Sequence, residues 1–496
     1  MTKPRPTPKK PSVLIIGTGF GGIGMAIQLK KAGYNRITLL EKADSVGGTW
    51  RDNTYPGAAC DVQSHLYSYS FEPKHDWSRK FGGQAEILDY MEYCVSKHGL
   101  DNHIEFNRAV VSASFDGQSN QWQVTTESGH QYTADVLVTA TGQLNRPAMP
   151  AIPGLDRFKG SWFHSARWNH EVDLTGKRVA VIGTGASAIQ FVPQITPKVA
   201  QLDLYQRSAA WVLPKPDRRF TPFEQRLFQK LPFWDRAYRA LIYWKNESRA
   251  LAFTRFSWIL DLFSRQAKKE ANRWVTDPDK LKNIIPDYRI GCKRILISND
   301  WYPAINQPHL DLITEGVSHI DETGVVSANG EHRKVDAIIF GTGFKASEFL
   351  SPIQVTGRHG QSLNDAWAKG SKAFKGMTVN GFPNLFILYG PNTNLAHNSI
   401  LYMLESQFCY VISSLDALSR YPGEAMEVRE EAQTRYCQAV QDGLSGSVWD
   451  SGCTSWYLDE HGRNTVNWPG FTFSYRFATR SVDTTDYQFS SSETGH

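Results

Sequence analysis

Short apolar runs that stop at glycine recur along the chain. Val13-Leu14-Ile15-Ile16 is uninterrupted, as expected of a strand covered on both faces of a parallel sheet. It leads into GTGFGGIGMAIQLKKAG, where apolar residues return at helical spacing until Gly33 stops them. A second run, Ile37-Thr38-Leu39-Leu40, ends at Glu41, which completes a strand–helix–strand unit. The unit recurs: Arg178 to Ile182 leads into GTGASAIQFV, and Leu202 to Tyr205 is followed by Gln206-Arg207. Gly17 and Gly183 lie 166 residues apart, too far for a solenoid period but suited to two successive nucleotide-binding units. Two further strands end in a glycine turn, Val136 to Gly142 and Ala337 to Gly343.

These elements predict an α/β chain with two Rossmann-like dinucleotide-binding domains. The first is split between residues 1–150 and 346–496. The second lies between them at 151–215 and 291–345, and itself carries a helical insertion at 216–290. Pro147, Pro150 and Pro153 mark a crossover between the domains. The insertion has no glycine turn, and its aromatics between Trp211 and Trp274 read as helix-packing core. The last fifteen residues or so (VDTTDYQFSSSETGH) are polar and expected to fray.

Composition narrows the classes. The chain has 496 residues, room for more than one domain, and 41% apolar residues can bury a large core. A net charge of +5 over so large a surface is no nucleic-acid footprint. No apolar stretch reaches the ~18 residues of a membrane span. Residues 1–11 are basic and Pro-rich, with no apolar signal core after them, so a solvated arm and a cytoplasmic protein are expected. Six cysteines without a CxxC pair argue against a disulfide framework and a thiol redox motif. Neither HExxH nor Cys/His ligand spacing occurs, so no metal is indicated.

The glycines carry chemistry. Gly17 permits the tight turn, Gly19 lets backbone approach a pyrophosphate, and Gly22 lets the helix lie close to the strand, with Phe20 inside the same loop. The helix N-terminus then offers free N–H groups to an anion. Glu41, 24 residues past the first glycine, suits ribose hydroxyls; the same offset in the second unit lands on Arg207. A 2′-phosphate is repelled by an acid and held by a guanidinium, so the first site takes FAD or NAD and the second NADP. Ala188 stands at the third glycine position of the second fingerprint, where only close packing is required. Two such sites point to hydride transfer from NADPH to a flavin. A disulfide reductase would need a cysteine pair at the flavin, and Cys60 stands alone.

Residues 158–168, FKGSWFHSARW, match the FxGxxxHxxxW string through Phe158, Gly160, His164 and Trp168. Residues 47–61, GGTWRDNTYPGAACD, match [AG]GxWxxxx[FY]P[GM]xxxD at every fixed position. GCKR (291–294), GTGF (341–344), GFPNLFILYGPNTNLAHNSI (381–400) and NWPGFTFSYRFATR (467–480) continue the likeness. In these strings the chain resembles the type I Baeyer–Villiger monooxygenases, class B flavoprotein enzymes, over nearly its whole length. One departure is Asn169, where the family usually has Pro or Asp. The N- or S-oxygenating flavin monooxygenases carry a similar string with Tyr or Phe for the Trp, and are the rival reading.

The resemblance implies bound FAD, reduction by NADPH, and use of O2 to convert a ketone to an ester or lactone through a C4a-peroxyflavin. Arg294 matches the arginine over the flavin that stabilises the peroxide anion, and Asp61 the acid that positions it. Thr49, Trp50, Arg51, Asp52 and Tyr67 fall at flavin contacts, Val110 at the adenine end, and Ile400 beside the isoalloxazine. Gly183, Thr184, Gly185, Ala186, Ser187, Ala188, Ile189 and Ser208 match the NADP cradle, with Lys293 joining Arg207 on the 2′-phosphate. His164 matches a residue of the linker between domains or a core histidine, and Trp168 an architectural one. The partners implied are a small ketone and O2 for a monomer or weak homo-oligomer. The aromatics of the insertion offer, as a second reading, an access path for an apolar ketone.

Overall fold

The computed structural model describes residues 10–492. Two parallel five-stranded sheets form its frame. In the first, strand Val13–Ile16 lies between Ile37–Leu40 and Val136–Thr139, with Leu385–Ile387 and Ile104–Glu105 at the edges. In the second, Arg178–Ile182 lies between Gln201–Tyr205 and Ala337–Phe340, with Leu310–Ile313 and Ser161–His164 outside. The order is the same in both. Each first strand is flanked by the strand that follows its helix and by the strand that ends in a glycine turn. Both central strands are buried along most of their length, which is why they read as unbroken apolar runs.

Each unit also carries a small antiparallel meander before its glycine-turn strand. Residues 110–134 form one, extended by Gln354–Thr356, and residues 317–334 the other. Helix Phe20–Lys31 packs tightly against helix Ile400–Leu418. A Cβ at Gly24 would lie 2.5 Å from the Phe408 ring and 2.8 Å from Tyr69, so only glycine fits there.

The two sheets are joined by a pair of strands running side by side. Pro147 bridges Phe344, Ala148 N–H donates to Gly343, and Lys345 N–H donates to Arg146. The proline segment is thus the outward half of a two-stranded connection, and 343–346 is its return. Between 213 and 296 the chain forms five helices, Pro222–Lys230, Pro232–Glu247, Ala250–Thr254, Trp258–Trp274 and Pro278–Ile284. Their root is closed by a parallel pair, Val212–Leu213 with Leu296–Ile297, two residues after Arg294.

Four expectations need correction. The C-terminal segment does not fray as far as it is described. Tyr487–Ser490 pairs antiparallel with Ala425–Val428, and Tyr487 is buried with its hydroxyl on Tyr410 and Thr378. The alternation of Tyr487 and Phe489 is the period-two signal of a strand. Second, Cys292 and Cys453 are disulfide-bonded across 161 residues of sequence, while Cys60, Cys94, Cys409 and Cys437 are free. Local spacing cannot reveal a pair brought together only by tertiary folding. Third, many insertion aromatics are not core: Phe233 and Trp258 are 77% and 62% exposed, whereas Phe228, Tyr243 and Phe253 are buried. Fourth, Lys10 is not part of a free arm, because it donates to the Ala32 carbonyl and lies over the Tyr34 ring; the rest of the basic tail, up to residue 9, falls outside the described residues.

The disulfide makes a countable prediction. Unreduced protein, denatured and titrated with a thiol reagent, should show four reactive thiols rather than six, and prior reduction should expose the other two. Six thiols without reduction would contradict the bond.

Candidate active site

The first glycine turn is built by contact. Gly17 has φ +102°, and a Cβ there would lie 2.7 Å from the Ala140 carbonyl. A Cβ at Gly22 would come within 1.9 Å of the Gly17 carbonyl, so the helix could not approach the strand. Around a Cβ at Gly19, by contrast, nothing lies within 4 Å. Two glycines are therefore spent on packing and one leaves a cradle open at the helix N-terminus, which is what a pyrophosphate requires. Phe20 packs edge-on against Tyr67 and Tyr69, each with ring centroids 5.3 Å away.

Glu41 is almost fully buried. One of its carboxylate oxygens accepts from the Thr18 N–H at 3.0 Å and its hydroxyl at 2.6 Å, and the other from Ala43 N–H at 3.1 Å. Arg51 pairs with it at 3.1 Å and also holds Asp52 at 2.8 Å. The acid that closes the first unit is thus tied directly to the 47–61 motif, a contact that sequence spacing did not reveal. The segment ending at Val110 lies alongside: Arg108 N–H donates to the Glu41 carbonyl.

The motif turns on Gly48, φ +51°, which precedes the single helical turn Thr49–Asp52. Trp50 Nε1 donates to the Tyr67 hydroxyl at 3.1 Å, and its carbonyl accepts from Gln84. Trp50, Tyr67 and Ile400 all pack against the same apolar core. Ile400 opens helix Ile400–Leu418, whose first turn is capped by the Ser399 hydroxyl.

The same motif reaches the second sheet. Tyr55 donates to Gln190 Oε1 at 2.9 Å, and Gln190 Nε2 donates back to the Ala59 carbonyl at 2.9 Å. Gln190 sits on helix Ala188–Ile195, directly after the second glycine turn. It therefore clamps the first unit's loop onto the second unit's helix. The 158–168 string docks on the same loop: Arg167 faces Asp52 at 3.8 Å, His170 bonds Thr54 at 2.8 Å, and Trp168 packs on Phe163 and Phe191. Trp168 is architectural.

In the second turn Gly183, φ +107°, lies against the Gly341 carbonyl, and Ala188 fits with its own Cβ near Gly341. Gly185 and Ala186 are exposed on the open side, with Ser187 and Ile189 leading into the helix. Thr184 donates to the Ser208 carbonyl at 3.3 Å, and Lys293 to the Ser208 hydroxyl at 3.3 Å. Burial and the charge of Arg207 both push the Lys293 ammonium down from its ordinary value. Neither Lys293 nor Arg207 forms an ion pair among the described residues. Two cations brought together beside a hydroxyl are suited in charge to a dianion.

Asp61 and Arg294, 233 residues apart in sequence, form a charge-assisted hydrogen bond. Their side chains are 33% and 38% solvent-accessible. The pair is thus partly open rather than sealed in the core. Burial opposes ionisation of Asp61, but the Arg294 charge, its hydrogen bond and Lys215 outweigh it and hold the carboxyl below its ordinary value. Arg294 is raised, chiefly by Asp61. Both stay charged.

Four neighbours were missed in the sequence. The charge of Lys215 reaches Cys60 and Asp61, and burial depresses its ammonium. Tyr389, held at φ +58° by Gln143 and Gln407, and Tyr457, pushed up to about 12 mainly by burial, both feel the Arg294 charge. Glu247 of the insertion, 1% exposed, accepts from Asn398 at 2.5 Å and from Thr472 N–H and hydroxyl at 2.5 and 2.8 Å, fixing the loop before Ile400. Of these four only Tyr389 stands inside a string already singled out, as does Gln190 of the clamp.

The comparisons agree with this geometry. The model of the flavin-binding monooxygenase-like family matches residues 9–356. A Baeyer–Villiger monooxygenase of Pseudomonas aeruginosa is 46% identical over 98% of this chain and 93% of its own. One of Streptomyces coelicolor is 45% identical over 96% and 92%. Among solved structures, an oxidised steroid monooxygenase bound to NADP superposes with a TM-score of 0.87 at 29% identity, covering 97% of this chain and 99% of that one. OTEMO in complex with FAD and NADP gives 0.88 at 26%, covering 97% and 100%. The chain belongs to the flavin-binding monooxygenase-like family, and within it to the type I Baeyer–Villiger monooxygenases.

His164 ends strand Ser161–His164 and is 4% exposed. Its Nδ1 accepts from Ala166 N–H at 3.0 Å, which leaves the proton on Nε2. Burial pushes the imidazole from 6.5 down to about 4. Below pH 6.5 the unfolded chain takes a proton that the folded one refuses until about 4, so stability falls across that window. His164→Gln should flatten the loss by up to about 3 kcal/mol, read from denaturation midpoints between pH 7 and pH 4. Parallel curves for the two proteins would contradict a neutral His164.

Proposed function

We propose that this protein is an FAD- and NADPH-dependent monooxygenase that uses O2 to convert ketones to esters or lactones. The observation that carries the reading is the Asp61–Arg294 pair, a permanent cation held by the carboxylate that ends the loop clamped onto the second unit. The open face at Gly19, the buried Glu41 and the Arg51 tie fit an adenine dinucleotide in the first unit. Gly17, Gly19, Phe20, Gly22, Glu41, Thr49 to Asp52, Asp61, Tyr67, Val110 and Ile400 would hold FAD. Gly183 to Ile189, Arg207, Ser208, Lys293 and Arg294 would hold NADPH.

FAD supplies hydride acceptance and oxygen activation when bound. The chain supplies position and charge. Arg294 stabilises the negative charge carried by the attacking oxygen and then by the ketone oxygen, and it needs no reorganisation as that charge moves. Asp61 fixes the guanidinium plane and offsets the cost of holding a cation out of bulk water. The Gln190 clamp and the 145–148/343–346 connection keep the two nucleotide cradles in register, which sets the reach from one to the other.

The partition into a first domain of 1–150 and 346–496, a second of 151–215 and 291–345 and an insertion of 216–290 belongs to the same reading. Sheet membership and the paired connection support it. A cytoplasmic monomer or weak homo-oligomer is part of it too; among the described residues no helix is long and apolar enough to cross a membrane.

Arg294→Ala should still consume NADPH yet form no ester from a ketone that wild type converts, a loss of ~10²-fold or more. Ester at the wild-type rate would overturn the role of Arg294. Arg207→Ala should raise the KM for NADPH about tenfold or more while leaving NADH unchanged, because only the 2′-phosphate loses a partner. Equal effects on both would move Arg207 out of the site.

A further inference from the structure

Helix Pro232–Glu247 buries one face and exposes an apolar stripe on another. On the first, Asp235, Ile242, Tyr243, Asn246 and Glu247 are buried. The other looks outward. Trp234, Leu241 and Trp244 fall at i, i+7 and i+10 on a single stripe and are 50%, 65% and 59% exposed. Phe233 beside them is 77% exposed. The patch continues onto helix Thr472–Ala478, where Phe473 touches Trp244 with ring centroids 6.1 Å apart and Phe477 is 68% exposed. Single exposed apolar residues are ordinary, but a continuous stripe of Trp, Phe and Leu crossing two helices marks an interaction surface.

Charge identifies what covers it. Residues 216–290 hold 16 Lys and Arg against 9 Asp and Glu, a net +7, while the whole chain is only +5, so the remainder is −2. The acids do not relieve this excess at the patch. On helices Pro222–Lys230 and Pro232–Glu247, Asp235 and Glu247 are buried and Glu224 is taken by Arg218. Lys245 is exposed beside the stripe, Lys230 and Arg236 are exposed elsewhere on the same two helices, and Arg480 lies over the Phe477 ring. A second copy of the chain would bring like charge against like charge. Aromatic and leucine side chains with cations beside them, on amphipathic helices, have the composition of an interfacial membrane-binding surface.

We propose that this face docks on an anionic lipid surface, with helix Pro232–Glu247 and helix Thr472–Ala478 lying in the interface. The docked helix is the one whose inner face fixes the 397–400 loop through Glu247, so the surface sits one helix away from that loop.

The test is co-sedimentation of the flavin-loaded full chain with vesicles of phosphatidylcholine alone, or with about a third phosphatidylglycerol, at low and high salt. The expected result is binding about tenfold or more tighter to the anionic vesicles, weakened by salt and lost in the double variant Leu241→Ser/Trp244→Ser. That variant should keep NADPH consumption with a soluble ketone at the wild-type rate, which shows that it is folded. No binding to either vesicle overturns the proposal. So does equal, salt-insensitive binding to both. So does a dimer in solution that the double variant dissolves, which would assign the patch to a second copy.

Discussion

Arg294 carries a charge that cannot be neutralised, and Asp61, at the end of the loop clamped onto the second unit, meets it. Such a pair adds little stability, because losing water costs each ion about what their attraction returns. It gives position instead. Asp61 ends the motif that begins at Gly47, and Arg294 stands two residues before the strand that closes the insertion. Each side of the pair is thereby fixed to a separate part of the chain, one to the 47–61 loop and the other to the root of the insertion.

Much of the remaining structure holds these anchors still. The 47–61 loop is tied back to Glu41 through Arg51, forward to helix Ala188–Ile195 through Gln190, and sideways to Arg167 of the 158–168 string and to His170 just after it. On the other side, Cys292 precedes Lys293 and Arg294 and is joined to Cys453, four residues before Tyr457, which also faces Arg294. The same short segment thus receives a covalent tie, a contact with the Ser208 hydroxyl and the ion pair.

The frame was legible because its physics is local. An apolar strand, a glycine turn and an amphipathic helix can be read in about thirty residues, and the 24-residue offset to Glu41 or Arg207 follows from the same unit. Asp61 and Arg294 were legible through the motifs around them, although nothing in their spacing pairs them. What escaped was set by tertiary approach. Gln190, Lys215, Tyr457 and Glu247 gain their roles only when separate segments meet, and Cys292 finds Cys453 in the same way. The strand at Tyr487 was lost to its polar neighbours. The insertion aromatics divide into core and surface by helix face, a distinction that composition cannot make.

The central claim is that a fixed cation beside Asp61 directs oxygen to a carbonyl rather than to a soft nucleophile. Its most direct test is one probe molecule bearing both a ketone and a thioether, turned over with NADPH in air. The account predicts ester as a product, with or without some sulfoxide beside it. Sulfoxide alone would contradict it and would make Asn169, the one departure from the family string, the better guide to the chemistry.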